Sequence, residues 1–474
     1  MGYTNGAMLI KREITNRFTK LYYEGKLETE IDKIPLIISP KMAKKPVRCC
    51  IYKEREVVNN RLISLLGIPI TPTMDELMRP SDYIEIAKQR EETPTCRLNI
   101  IDAACSSCSK EQHVVTNHCR GCVAQPCMLN CPKNAISFID GKAEINADTC
   151  VNCGICRNVC PFHAIINTPV PCEQACPVDA ISKDKYGIAR LDEDKCIHCG
   201  KCITACPYGA VTQKSHLYDV MKSIDNGKKV IAMLAPAVIG QYNVDLEKII
   251  SGVKELGFFD VVEVAVGAEM TAAEEAHEWK ERMEEGAKFM TTSCCPAYVE
   301  LAEKHITDLK PFVSTTPSPM VLTDRWVKTT HPDAITVFVG PCVAKRSEAI
   351  NKSDVKYVLN FEELGAMLIS KGIELSEQST DVDIAAAGHV GRGFAQSGGV
   401  AAAIKTAIPE GVNEIIINGL DKPNMRALKS MGKGKCDGNF VEVMVCTDGC
   451  VAGPSCIADI RVAKRQLAKY LNRN

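Results

Sequence analysis

The sequence predicts a parallel α/β domain built around a cysteine-held site, preceded by small α+β cysteine-rich modules and by a mainly helical N-terminal segment. Three observations predict it. Sixteen cysteines fall between Cys105 and Cys206, most of them in short repeats that end in proline. Beyond about residue 213, apolar runs of strand length alternate with helical stretches, the pattern of strands covered on both faces. The cysteines of that last region that stand in motifs follow the ends of the apolar runs. At 474 residues the chain is too long for one ordinary core, and the three segments divide as 1–95, 96–212 and 213–474.

Composition removes several functional classes. A formal net charge of -1 argues against a nucleic-acid partner and against an anionic membrane surface. The opening MGYTNGAMLIKREITNRF has too short an apolar run for a cleavable signal, and no later run is long and uncharged enough to span a bilayer. A reducing cytoplasm is therefore expected, where the 26 cysteines read as thiolate metal ligands rather than disulfides. Residues 1–95 carry no ligand repeat. Residues 54–66 read as an amphipathic helix, and the N-terminal segment is expected to dock onto the two later ones. Cys49 and Cys50 stand too close together to chelate one cubane alone and are expected to be buried thiols.

In segment 96–212 the spacing becomes specific. Cys150-x2-Cys153-x2-Cys156-x3-Cys160-Pro161 and Cys196-x2-Cys199-x2-Cys202-x3-Cys206-Pro207 both match the bacterial ferredoxin run. In that run three cysteines hold one [4Fe-4S] cluster and the fourth crosses to its neighbour. A partner for the first run is Cys119-x2-Cys122-x4-Cys127-x3-Cys131-Pro132. The pairing then assigns Cys119, Cys122, Cys127 and Cys160 to one cubane, and Cys150, Cys153, Cys156 and Cys131 to the next. The second run has a half partner, Cys172-x3-Cys176-Pro177. Its missing pair is supplied by Cys105 and Cys108 if the first module is inserted between the halves of the second. The outer module would use Cys105, Cys108, Cys172 and Cys206 for one cluster, and Cys196, Cys199, Cys202 and Cys176 for the other. The rival arrangement has three accessory clusters, with Cys105 and Cys108 as ordinary thiols. Aliphatic residues after the runs, as in NAISFI, HAII, DAIS and GAVT, fit the short strands of ferredoxin-like modules. Cys96 and His118 read as structural.

From residue 213 the apolar runs at 230–234, 261–266, 334–339 and 441–445 read as buried parallel strands, with a helix at 272–285. Cysteines follow strand ends in TTSCCPAY, VFVGPCVAKRSE and VEVMVCTDGCVAGPS. That edge of an open α/β sheet is where sites are built. Cys295, Cys342, Cys446 and Cys450 come from three distant segments, so their convergence requires a folded site rather than a local chelate.

These three segments resemble the signature motifs of the [FeFe]-hydrogenases, and the resemblance runs from about Cys105 to the C-terminus. It implies that Cys295, Cys342, Cys446 and Cys450 hold a [4Fe-4S] cubane. It further implies that Cys450 bridges to a diiron unit with CO, cyanide and azadithiolate, together called the H-cluster. Lys345 then suits a cyanide as charge partner. Ala235, Pro236, Ser318, Phe394 and Met444 match positions lining the diiron pocket, and Cys294 matches the proton-relaying thiol. Glu275, Glu278 and Arg282 lie on one helix face and, with Ser314, match the family's proton path. Thr271 to Glu274 reads as a capping box ahead of them. The activity implied is reversible reduction of protons to H2 with a ferredoxin or similar carrier, in an enzyme whose diiron site is installed by maturation proteins.

The chain departs from the commoner pattern. TSCCPAY lacks the usual Gly-Trp after CCP, Gly340 stands where a methionine is usual, Met320 replaces a glutamine, and Gly453-Pro454-Ser455 replaces a glycine-rich tail. These changes mark a less studied subgroup and bear on rate and bias more than on ligation. The run from Gly391 to Gln396 lacks the third glycine of a dinucleotide fingerprint and reads as a tight loop around Phe394. Cys436 and Cys456 have no partner motif. Two other readings remain open: an H2-sensing homologue, and an iron-sulfur assembly or electron-transfer protein without the diiron unit. Cys294, Lys345, Glu348 and the glutamate helix argue against the second, which needs no proton path.

Overall fold

The computed structural model describes residues 5–42, 47–71, 74–75, 77–91, 98–105, 108, 112–382 and 387–472. Two parallel sheets form the C-terminal region. The first has the order Asp260–Glu263, Val230–Leu234, Ile335–Val339, Tyr357–Leu359. The second runs Met290–Thr291, Phe440–Met444, Glu414–Asn418. Val230–Leu234 is buried at every position, as expected of a strand covered on both faces. Phe440–Met444 is equally buried yet carries Glu442. Its carboxylate accepts the amides of Gly398 and Ala401 at 2.7 and 2.8 Å, at the start of the helix Gly399–Ala407. A charge is tolerated in this central strand because it caps a helix N-terminus.

The cysteine motifs follow the C-terminal ends of three of these strands: Cys294 and Cys295 after Met290–Thr291, Cys342 after Ile335–Val339, Cys446 after Phe440–Met444. Both sheets therefore deliver cysteines to one place. Cys295 is also the N-cap of the helix Pro296–Lys304, whose leading proline is pre-set for the first helical position.

In the cysteine-rich region the strand pairing is nested. Leu98–Ile100 pairs with Val211–Gln213 and Ile181–Lys183 with Ala189–Leu191, all antiparallel. Enclosed between them in sequence, Gln112–Val115 pairs with Ile165–Thr168 and Ile136–Ile139 with Lys142–Ile145. One module thus interrupts another between Cys108 and Cys172. The N-terminal helices Gly6–Tyr23 and Ile51–Leu65 have no core of their own. Ile14, Phe18 and Leu62 share one apolar cluster with Leu217, Leu246 and Phe361. Glu362 binds Lys11 and Arg12, both at 2.9 Å, across that seam.

Four expectations need correction. The strand expected at 261–266 ends at Glu263, and the helix Val264–Glu284 starts immediately. Thr271 consequently lies inside this helix, its hydroxyl donating to the Pro317 carbonyl at 3.2 Å, and caps nothing. Tertiary packing decides this: Gly267 brings the helix so close to Pro319–Thr330 that a Cβ would overlap Thr323 and the Pro319 carbonyl. The expected loop at Gly391 is a short helix, His389–Gly393, its glycines packed against the backbone of Ala265 and Gly399. Cys49 is exposed and Cys50 half-buried, because Cys50 starts a helix, with Sγ accepting the Lys53 amide at 3.5 Å. Cys96 lies outside the described residues.

Gly399 abuts the Gly393 carbonyl and the Phe394 amide so closely that a methyl group has no room. Gly399→Ala is expected to destabilise the protein by about 1–3 kcal/mol through overpacking, read as a lowered Tm in thermal denaturation of the apoprotein.

Candidate active site

Cys294, Cys295, Cys342, Cys446 and Cys450 line one cavity together with Lys345, Ala235, Pro236, Phe394 and Met444. The remaining walls include Met320, Phe338, Pro341 and Pro454. Lys345 is the sole charged side chain among the described lining residues. Burial pushes every one of the five thiols up, Cys342 to about 12 and Cys294 well above its ordinary value. Mutual repulsion among Cys295, Cys342, Cys446 and Cys450 adds to the effect. Four soft thiolates that cannot ionise unaided fit an iron-sulfur cluster, whose positive irons make ionisation favourable. Among the described residues no three His, Cys, Asp or Glu side chains close to the spacing of a single ion; the thiols frame a wider cage.

Lys345 donates to Glu348 at 2.7 Å and to the Ser318 hydroxyl at 2.8 Å. Burial works against its charge, but Glu348 and the nearby thiol groups more than offset this, so its pKa is raised. Ser318 does not line the cavity with the other pocket residues; it supports Lys345 from an adjoining cleft. The departure at Gly340 is filled from within. A side chain there would overlap the ring of Phe338, which itself lines the cavity.

The three helix residues run from interior to surface. Glu275 is fully buried, while Glu278 and Arg282 are half-buried. Glu275 Oε1 accepts the Ser293 amide at 3.0 Å and hydroxyl at 3.2 Å, and its Oε2 is buried without a hydrogen-bond partner. Burial raises Glu275 to about 7, with the Ser293 hydrogen bonds as a partial offset. The same carboxyl raises Cys294, so the two groups are electrostatic neighbours. Glu278 accepts the Ser314 hydroxyl at 2.6 Å and Arg282 at 2.6 Å. Burial is outweighed there by Ser314, Thr315 and Arg282, and its pKa is lowered. Ser293, Ser314 and Thr316 open onto a cleft of about 690 Å³. Ser293 escaped sequence reasoning; its only signal was a hydroxyl directly before the Cys294 and Cys295 pair.

The accessory cysteines gather in sets. One small cavity is lined by Cys131, Cys150, Cys153 and Cys156, and another by Cys119, Cys122, Cys127 and Cys160. Cys108 and Cys172 are each raised by Cys105 and Cys206, which brings that set together. Cys202 is raised by Cys199, Cys196 and Cys176. Cys199 in turn raises Cys446, so the last accessory set adjoins the cavity. This junction is clamped by His198, whose ring meets Glu300 at 2.9 Å and Glu193 at 3.0 Å. Although burial raises Glu300, His198 and Lys304 hold its carboxyl down at about 2. Glu300 sits on the helix that begins at Cys295, and the pairing was invisible in sequence because 102 residues separate the partners.

Residues 228–454 match the family model "Iron only hydrogenase large subunit, C-terminal domain". Residues 171–210 match a 4Fe-4S dicluster domain and 143–166 a 4Fe-4S binding domain. Iron hydrogenase 1 of Clostridium pasteurianum is 27% identical over 303 residues, 52% of this chain and 53% of its own length. The NADP-reducing hydrogenase subunit HndD of Solidesulfovibrio fructosivorans is 26% identical over 54% of this chain and 55% of its own. The periplasmic [Fe] hydrogenase large subunit of Nitratidesulfovibrio vulgaris is 27% identical over 51% and 72%. The chain thus spans about half the length of the first two relatives. Solved structures of an [FeFe]-hydrogenase from Chlamydomonas reinhardtii align over 55% of this chain and 89% of theirs, at 22% identity and a TM-score of 0.45. The family model and the curated relatives bear out the likeness read in the three motifs, and the two 4Fe-4S matches bear out the cluster reading of the cysteine-rich modules. No helix among the described residues is long and apolar enough to cross a membrane.

A carboxyl that titrates near 7 when folded and near 4.5 when unfolded binds more protons in the folded state between those values. Stability therefore falls as pH rises from about 4.5 to 7, by about 3 kcal/mol for a fully buried group. Glu275→Gln is expected to flatten that part of the stability profile of the apoprotein, measured by urea denaturation at pH 5 and pH 8.

Proposed function

We propose that this chain, whose residues 228–454 match an iron-only hydrogenase domain, interconverts two protons and two electrons with H2. Electrons pass to and from a ferredoxin or similar carrier through four accessory [4Fe-4S] clusters, in the cytoplasm. The observation that carries the reading is the nearly apolar cavity where four thiols from three distant segments meet an additional thiol and a buried lysine. The clamped contact between the Cys199 loop and the Cys295 helix supports the direction of the electron route.

Cys295, Cys342, Cys446 and Cys450 would hold the cubane of the H-cluster. When bound, and once completed by maturation proteins, the H-cluster supplies the metal centre at which electrons and protons combine to H2. Lys345, held in place by Ser318 and Glu348, would offer its ammonium to an anionic ligand of that centre. Ala235, Pro236, Phe394 and Met444 wall the pocket and keep bulk water out. Cys294 stays protonated, since burial and Glu275 both oppose its ionisation, and so carries a transferable proton on Sγ. Glu275 resupplies it from a carboxyl that titrates near neutrality. Ser314 and Glu278 extend the route to Arg282 at the surface, through the 2.6 Å contacts that join them.

The test is infrared spectroscopy of the matured protein, with bands of metal-bound CO and cyanide expected; their absence after competent maturation would reject the assignment. Cys294→Ala should keep those bands while losing roughly 100-fold or more in turnover, in the range of lost general acid-base catalysis. Complete loading should give about 22 irons per chain for four accessory cubanes plus a six-iron site, against about 18 for three.

A further inference from the structure

The cage of Cys105, Cys108, Cys172 and Cys206 carries a feature beyond the backbone pattern of the modules. That pattern is an amide donated to the last cysteine of each run. Ala135 donates to Cys131 at 3.3 Å, Ala164 to Cys160 at 3.4 Å, Ala180 to Cys176 at 3.2 Å and Ala210 to Cys206 at 3.3 Å. Cys105 lies outside any such run, yet its sulfur has two donors. The Ala189 amide reaches it at 3.1 Å and the Lys183 ammonium at 3.4 Å. Lys183 Nζ is held there by the carbonyls of Gly187 at 2.6 Å and Cys105 at 3.1 Å. Both donors come from one two-stranded ladder, in which Lys183 pairs with Ala189. The ladder thus aims a fixed cation and an amide at a single sulfur.

An opposing charge stands nearby. Glu173 stands on the helix Pro171–Ala175, and its Oε1 accepts the Lys183 backbone amide at 2.7 Å. The cage is bracketed by two opposite charges, of which only the positive one touches a ligand sulfur.

We propose that Lys183 tunes the outer module, its ammonium at Cys105 raising the reduction potential of the cluster held by Cys105, Cys108, Cys172 and Cys206. The inference rests on the proposed assignment of these four thiols to an accessory cubane. When this cluster takes one electron from a neighbouring cluster, which is oxidised in turn, the cage gains one negative charge. A cation hydrogen-bonded to a ligand sulfur stabilises that reduced form. Lys183 acts through the sulfur and touches no substrate, so it is a positioning residue rather than a catalytic one.

The experiment is a redox titration of the iron-loaded protein followed by electron paramagnetic resonance, comparing the parent with Lys183→Gln, Lys183→Arg and Glu173→Gln. In Lys183→Gln one accessory component should require a lower potential, its reduced-to-oxidised ratio falling about tenfold at fixed potential, which is 59 mV for a one-electron couple. Lys183→Arg should restore most of the shift, and Glu173→Gln should move the same component in the opposite direction. An unchanged titration curve in Lys183→Gln at full iron content would overturn the proposal. So would a loss of four irons in that variant that Lys183→Arg does not recover, since Lys183 would then serve assembly. A parent chain with only about 18 irons would instead remove the fourth cage itself and leave the active-site reading standing.

Discussion

Thiols drawn into an interior where they cannot ionise on their own are the constraint on which this molecule depends. Burial raises Cys342, Cys446 and Cys450 in the C-terminal cavity and Cys172, Cys196 and Cys202 in the modules. Each becomes a ligand only when a metal supplies the compensating charge. The elements around the cages are correspondingly slight. Strands of three or four residues and helices of four or five make up the modules, far too little apolar surface to hold such folds without a cross-link. Clusters in these modules are therefore structural staples as well as carriers. The two parallel sheets, with continuous buried strands, are able to stand without them.

That difference explains how the chain joins its parts. The C-terminal region presents rigid sheet edges, and the modules are pinned to it by buried polar contacts. His198 reaches Glu300, Lys304 donates to the Cys196 carbonyl at 2.5 Å, and Arg346 links Gln213 at 3.1 Å with Glu363 at 3.0 Å. Breaking one partner of such a pair strands the other in low dielectric, which makes these contacts demanding in register. Register matters here because Cys199 must meet the wall that carries Cys446 and Cys295. The N-terminal helices complete the arrangement by lending Ile14, Phe18 and Leu62 to the core beneath the first sheet.

Local spacing made much of this legible. The intervals within each cysteine run carried the crossed pairing, because a cubane in a ferredoxin-like turn imposes fixed separations on one short stretch of backbone. The strand ends before Cys342 and Cys446 were readable from apolar runs bounded by turns, whereas the two-residue strand Met290–Thr291 before Cys295 carries no such run. What escaped were contacts between positions remote in sequence. Thr271 reads as a cap because capping is a local signal, whereas the close approach at Gly267 that carries the helix past it is not local. Phe338 carries no sequence mark as the residue that fills the space left by Gly340, and Ser318 shows its role only where Lys345 arrives beside it. Lys183 looks like an ordinary strand lysine until the ladder turns it toward Cys105.

In the proposed reading the electron route enters along the Cys199 contact and the proton route along the helix Val264–Glu284. On the electron side Cys199, Cys295 and Cys342 pack against one apolar cluster that includes Ile197, Tyr298 and Ala344. His198 and Glu300 border that contact and also line the cleft beside Ser293. On the proton side, hydroxyls and carboxylates follow one another from Ser293 and Glu275 to Ser314, Glu278 and Arg282, beside an open cleft. Cys294 packs in the cluster of Ala268, Trp279 and Phe394 with Glu275 as its electrostatic neighbour, and Cys295 borders both that cluster and the one around Tyr298. In the proposed reading the two neighbouring thiols differ in duty, relay against ligand, because Cys294 has Glu275 beside it whereas Cys295 stands among Cys342, Cys446 and Cys450.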